Sequence, residues 1–251
     1  MTRETVTVEP DTERDLRHPL LRKGAVRSTT DFVLPVDKPT GITSHDVVRI
    51  VRRVSNQRKV GHAGTLDPMA TGLLVVLVGA ATRESARITG WTKSYNGVFR
   101  LGEETDSYDA DTPVSRRTDA SRVTRDQIVE AAGRFVGTIR QLTPAYSAVR
   151  VRGERSHRRA RRGEAFTRPP RIVTIDDLSV REIDGSDVHF SISCSTGTYV
   201  RAVAHDIGRA LGVGAHLVAL RRTRIGSINV DLAWSVEDVN KADLGSELTQ
   251  E

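Results

Sequence analysis

A single cysteine, Cys194, stands in a chain of 251 residues, so no disulfide can close within it. A reducing compartment is expected, by default the cytoplasm. No apolar run approaches the roughly 20 residues that a membrane helix needs, so no membrane partner is expected. Residues 1–15 are polar and mixed in charge and hold no signal-peptide core. There is no Gly-Lys dipeptide, which removes the phosphate-binding P-loop. The seven histidines show no metal-ligand spacing, and one cysteine does not supply the ligands of a zinc deaminase. Aromatic side chains are scarce: two Trp, four Tyr and five Phe. No metal and no cofactor is expected.

What is present suits a soluble globular protein. Apolar residues make up 37% and charged residues 28%, and the length allows one large domain with small appendages. The net charge of +6 is unevenly placed: nine arginines between Arg150 and Arg171 face only Glu154 and Glu164. The rest of the chain is slightly acidic. Arginine concentrated in this way suits a phosphate-rich partner.

Periodicity predicts a mixed architecture. Residues 1–30 show no hydrophobic period and read as a charged, flexible extension. Asp31 to Asp37 reads as a strand, followed by a turn at Lys38-Pro39-Thr40-Gly41. Ser44 is placed as the N-cap of a helix carrying Val47, Val48, Val51 and Val54. Gly61 to Pro68 reads as a loop and Leu73 to Val78 as a buried strand. Thr124 and Gln127 form a capping box for a helix stopped by Gly137. Asp184-Gly185 joins a strand over 172–180 to an alternating strand over 188–194. Val200, Val203, Ala204, Ile207 and Leu211 define a helix that ends near Gly212. Strands and helices mix without regular alternation, which predicts an α+β fold with a largely antiparallel sheet.

The densest chemical signal is Gly61-His-Ala-Gly-Thr-Leu-Asp-Pro68, a glycine-rich loop on a rigid scaffold. Spacing alone fits either a catalytic aspartate or a turn in which Asp67 bonds local backbone. The longer run Gly61 to Gly72 resembles the signature loop of the TruB family of pseudouridine synthases. Further segments resemble that family in its own order: Val36 to Ser44, Lys93-Ser-Tyr95, Leu101 to Asp111, and Pro144-Ala-Tyr-Ser-Ala148. Cys194 to Arg201, Gly212 to His216 and Leu220-Arg-Arg222 complete the set, which covers residues 32–230.

The resemblance implies the pseudouridine synthase fold, with a central mixed, mostly antiparallel sheet flanked by helices and an RNA-gripping insertion. It makes Asp67 the catalytic residue that isomerises a flipped-out uridine, uridine 55 of tRNA, by cleaving the N1–C1′ bond and rejoining the base through C5. The carboxylate acts by covalent attack or by stabilising positive charge on the sugar. Arg201 matches an arginine beside that aspartate, whose opposite charge favours the ionised carboxylate. Tyr95 matches the aromatic residue stacked on the uracil, and Tyr199 a second tyrosine that serves the later proton removal. Leu220 matches an apolar wall. His62 and Asp109 match polar residues that hold the RNA loop open. Arg83 stands where the family often has lysine.

The implied organisation is an extension over 1–30, a catalytic domain over 31–235 containing a basic RNA-binding insertion over 137–171, and a short tail over 236–251 with no C-terminal RNA-binding domain. The partner implied is the T-arm of tRNA, met by a monomer. Two alternatives stand beside this one. A guide-RNA-dependent synthase shares the catalytic loop, and a non-catalytic RNA-binding protein shares the basic patch.

Overall fold

The computed structural model describes residues 31–144, 150–151, 154–155 and 170–242. The expectations for the N-terminal extension, the body of the basic insertion and the end of the tail fall outside these residues.

Strand β1 (Phe32–Lys38) buries every second side chain, as an apolar alternation requires. Lys38 falls in the inward register with Phe32, Leu34 and Val36. Helix α1 (Ser44–Val54) lays Val47, Val48 and Val51 on that face. Its N-cap is Thr43, not Ser44: the Thr43 side chain accepts from the Asp46 N–H, and Asp46 accepts from the Thr43 N–H at 2.8 Å. The reciprocal bond at the third helical residue decides between two adjacent hydroxyls. Ser44 is buried within the first turn.

Strands β2 (Val60–Ala63) and β3 (Thr71–Val78) pair antiparallel. The first part of the stretch expected as loop is therefore strand, because Val60 and Ala63 are buried against β3. Residues 64–70 remain as the loop between them. A 3-10 turn over Gly79–Glu84 leads into α2 (Ser85–Gly90) and then β4 (Lys93–Leu101). Two short strands, β5 (Glu103–Thr105) and β6 (Val114–Arg117), form a separate ribbon.

Helix α3 (Arg125–Gly133) has the expected Thr124–Gln127 capping box. It stops at Gly133, four residues earlier than read, because Phe135 and Val136 turn their N–H groups onto Ala132 and Gly133. Gly137 instead opens β7 (Gly137–Leu142). Strands β8 (Arg150–Val151) and β9 (Glu154–Arg155) pair as a minimal hairpin. Strands β10 (Pro170–Asp184) and β11 (Asp187–Cys194) form the hairpin expected around Asp184-Gly185. The ends of the expected insertion, 137–142 and 170–171, are thus paired strands of the main sheet.

The chain closes with α4 (Val200–Ala210), β12 (Ala215–Ile225), β13 (Ile228–Asn229), β14 (Trp234–Ser235) and α5 (Val236–Lys241). The main sheet runs β14-β1-β3-β12-β4-β11-β10-β7, with β2 on β3 and β13 on β12. Among the described strands only the β1–β14 and β3–β12 pairings are parallel, so the fold is α+β with a mostly antiparallel sheet. Inserting β12 between β3 and β4 brings the 64–70 loop, β4 and the entry to α4 to one place. Helices α3 and α4 cover one face of β4, β10, β11 and β12 through Ile128, Phe99, Ile192, Val203 and Ile207. Gly208 lets α4 pack closely there, since a Cβ would lie 2.2 Å from the Ala215 backbone nitrogen. Among the described residues no helix is long and apolar enough to cross a membrane.

Candidate active site

The 64–70 loop, Tyr95 of β4, the 195–199 turn before α4, and Leu220 and Arg222 of β12 line a cleft of about 340 Å³. Asp67 lies in it, with its side chain 46% exposed. The Arg201 guanidinium comes from the first turn of α4 and is almost wholly buried. Its Nη2 stands 3.6 Å from Asp67 Oδ2, within ion-pair range but too far for a hydrogen bond. Its Nη1 donates to Asp109 Oδ2 at 3.0 Å and to the Ser107 carbonyl at 3.2 Å.

Asp109 has no exposed surface. Its carboxylate also accepts from Ser107 Oγ at 2.5 Å and from the Asp111 N–H at 3.1 Å. Enclosed in this way, the Asp109 carboxylate meets Arg201 directly. Tyr199 is the N-cap of α4, and Gln141 of β7 brackets its backbone, donating to the carbonyl at 3.1 Å and accepting from the N–H at 2.8 Å. The Arg201 guanidinium carbon lies 5.8 Å from the Tyr199 ring centre, at cation–π range.

Tyr95 is buried in the floor of the cleft, and burial pushes its hydroxyl above the ordinary tyrosine value. Leu220 also lines the cleft. His62 stands on β2, half-buried and outside the lining; burial, then the Arg222 and His45 charges, lowers its pKa. Arg83 is exposed in the turn after β3 and does not line the cleft, because that turn follows the far end of the strand from the loop.

Three buried cations were missed: Lys38, Lys93 and Arg222, exposed by 0%, 5% and 1%. Lys38 and Lys93 carried a legible signal, since each occupies an inward register position of a strand. The Lys93 ammonium donates to the carbonyls of Thr89 at 2.7 Å and Trp91 at 2.5 Å. Burial, and then the Arg222 charge, lowers its pKa from 10.5 to about 8. Between those values the unfolded chain binds a proton that the native state does not, so stability from this group rises with pH, by at most about 1.4 kcal/mol per unit. Lys93→Met is expected to lose that rise while all other titrations cancel. Denaturant unfolding of both proteins at several pH values across this window checks it, and parallel pH profiles would refute it.

Among the described residues no group of three or more His, Cys, Asp or Glu is arranged to hold a metal. A carboxylate, an arginine and two tyrosines thus share one cleft, where the carboxylate can act as a nucleophile or as the counter-charge to a developing cation.

The family model described as "TruB family pseudouridylate synthase (N terminal domain)" matches residues 52–200. The model described as "tRNA pseudouridylate synthase B C-terminal domain" matches residues 201–249, which begin with Arg201 in α4 and include β12 of the main sheet. The tRNA pseudouridine synthase B of Streptomyces avermitilis is 45% identical over 222 residues, covering 85% of this chain and 74% of that protein. That of Mycobacterium avium is 46% identical over 208 residues, covering 81% and 67%. Among solved structures, a Cbf5-Nop10-Gar1 complex is similar with a TM-score of 0.68 and 32% identity. The archaeal box H/ACA sRNP Nop10-Cbf5 complex follows at 0.64 and 30%. Each is matched over 89% of this chain, which spans 57% of theirs.

Proposed function

This chain belongs to the TruB family of pseudouridine synthases, and we propose that it isomerises uridine 55 in the T-loop of tRNA, as a cytoplasmic monomer acting without a guide RNA. The observation that carries this is Asp67 in the cleft, 3.6 Å from a buried arginine and alongside Tyr95.

A uridine stacked within a folded RNA loop is out of reach and must be flipped into the cleft. Its uracil lies on Tyr95, with Leu220 as the apolar wall. The Asp67 carboxylate faces the sugar, where it attacks C1′ or stabilises the positive charge that develops as the N1–C1′ bond breaks. The freed uracil turns, and C5 bonds to C1′, expelling the Asp67 carboxylate where it had bonded there. Loss of the C5 proton, assisted by Tyr199, and protonation of N1 complete the isomer. No redox partner or energy source is needed. Arg201 holds the carboxylate towards the sugar, and Asp109 holds Arg201. His62 and the arginines of the 150–171 segment contact the RNA around the flipped base. Phosphate contacts there supply salt-dependent affinity, while the shape of the T-arm supplies selection.

The test is pseudouridine mapping on an unmodified tRNA transcript incubated with the purified protein alone. Product at position 55 is expected. Product only after a guide RNA is supplied would favour the guide-dependent alternative, and tRNA binding without product would favour a non-catalytic RNA binder.

A further inference from the structure

Every backbone carbonyl from Gly64 to Met69 is engaged, and all but one by donors from distant segments. Arg222 donates to Gly64 at 2.9 Å and to Thr65 at 3.4 Å. The Asp67 carbonyl takes the Ala70 N–H at 3.1 Å. Gly41 and Lys38 donate to the Pro68 carbonyl at 2.9 and 3.3 Å, and Thr40 donates to Met69 at 3.2 Å. Leu66, next to Asp67, is held at both polar groups by one hydroxyl. Ser44 Oγ donates to its carbonyl at 3.0 Å and accepts from its N–H at 2.9 Å.

We infer that Ser44 is a positioning residue that sets where Asp67 stands in the cleft. Thr43 supplies the helix cap, so the Ser44 hydroxyl is available to the loop. Ser44 is 2% exposed and Leu66 4%, which leaves little room for water to replace the hydroxyl. A loop deprived of it must move Leu66 towards solvent to satisfy both groups, and Asp67 moves with it. Displacement of a reacting group by about 1 Å costs on the order of 10²-fold in rate.

The inference rests on Asp67 carrying the chemistry. Ser44→Ala is compared with Val47→Ala, a buried residue of the same helix that faces the β1–β3 core and lies outside the cleft lining. At a temperature well below both melting points, Ser44→Ala is expected to lose at least about 10-fold in single-turnover rate, with tRNA affinity within a few-fold of wild type. Val47→Ala keeps its rate despite comparable loss of thermal stability. Ser44→Cys, of similar size and with a weak donor, falls between wild type and alanine, and it serves the same comparison should the alanine variant not fold. Equal rates for the Ser44 and Val47 variants, or a loss confined to tRNA affinity, overturn the inference. Full turnover by Asp67→Asn, assayed alongside, would instead overturn the role of Asp67 itself.

Discussion

Asp67→Asn is expected to lose pseudouridine formation by on the order of 10⁴-fold or more while binding tRNA within a few-fold of wild type. The substitution keeps size and shape and removes the charge. Its environment predicts little structural cost, because the side chain is 46% exposed and its Arg201 contact is long at 3.6 Å. Arg201 keeps its closer partner, Asp109, so no buried guanidinium is stranded. The amide can neither attack C1′ nor stabilise positive charge there, and both routes fail together. Binding rests on phosphate contacts elsewhere and persists. Single-turnover mapping of product beside a filter-binding titration separates the two quantities. Retained turnover would falsify the catalytic assignment, and a parallel loss of binding would give Asp67 a recognition role instead.

Arg201→Gln is expected to reduce both rate and stability. Asp109 is left enclosed with no compensating charge, and breaking a buried pair by removing one partner costs about 3–5 kcal/mol. The Asp67 carboxylate also loses the cation that orients it, lowering the rate by an expected factor of about 10². The two losses are separable. Adding Asp109→Asn removes the stranded charge, so the double variant regains part of the stability and none of the rate. Denaturant unfolding and single-turnover assays of the singles and the double form the required cycle. If the rate returned with the stability, Arg201 would be structural, and its proximity to Asp67 would carry no catalytic weight.

Short-range features were legible because their causes are local. The strand alternations of β1 and β11 and the Thr124–Gln127 capping box depend on residues within one turn or one pleat of each other. The ordered motifs around Gly61–Gly72 marked the loop that carries Asp67, and Asp67, Tyr95, Tyr199, Arg201 and Leu220 meet in one cleft. Errors arose where two residues were locally equivalent. Thr43 and Ser44 are adjacent hydroxyls at a helix start, and only the third helical residue and the packing tell them apart.

What sequence by itself determined is the mixed α+β class, the elements with strong periodicity and the identity of the chemical loop. Tertiary structure alone decided how that loop is held and which charges are enclosed. The Ser44 hydroxyl meets Leu66 across 22 positions, Arg201 meets Asp109 across 92, and Arg222 meets Gly64 across 158. Such pairings have no period and no fixed spacing. The Arg222 contact exists because β12 enters the sheet between β3 and β4, and in all three burial leaves the enclosed polar group a partner from a remote segment. The same enclosure makes Asp109 the close partner of Arg201, a pairing that spacing in the chain does not announce.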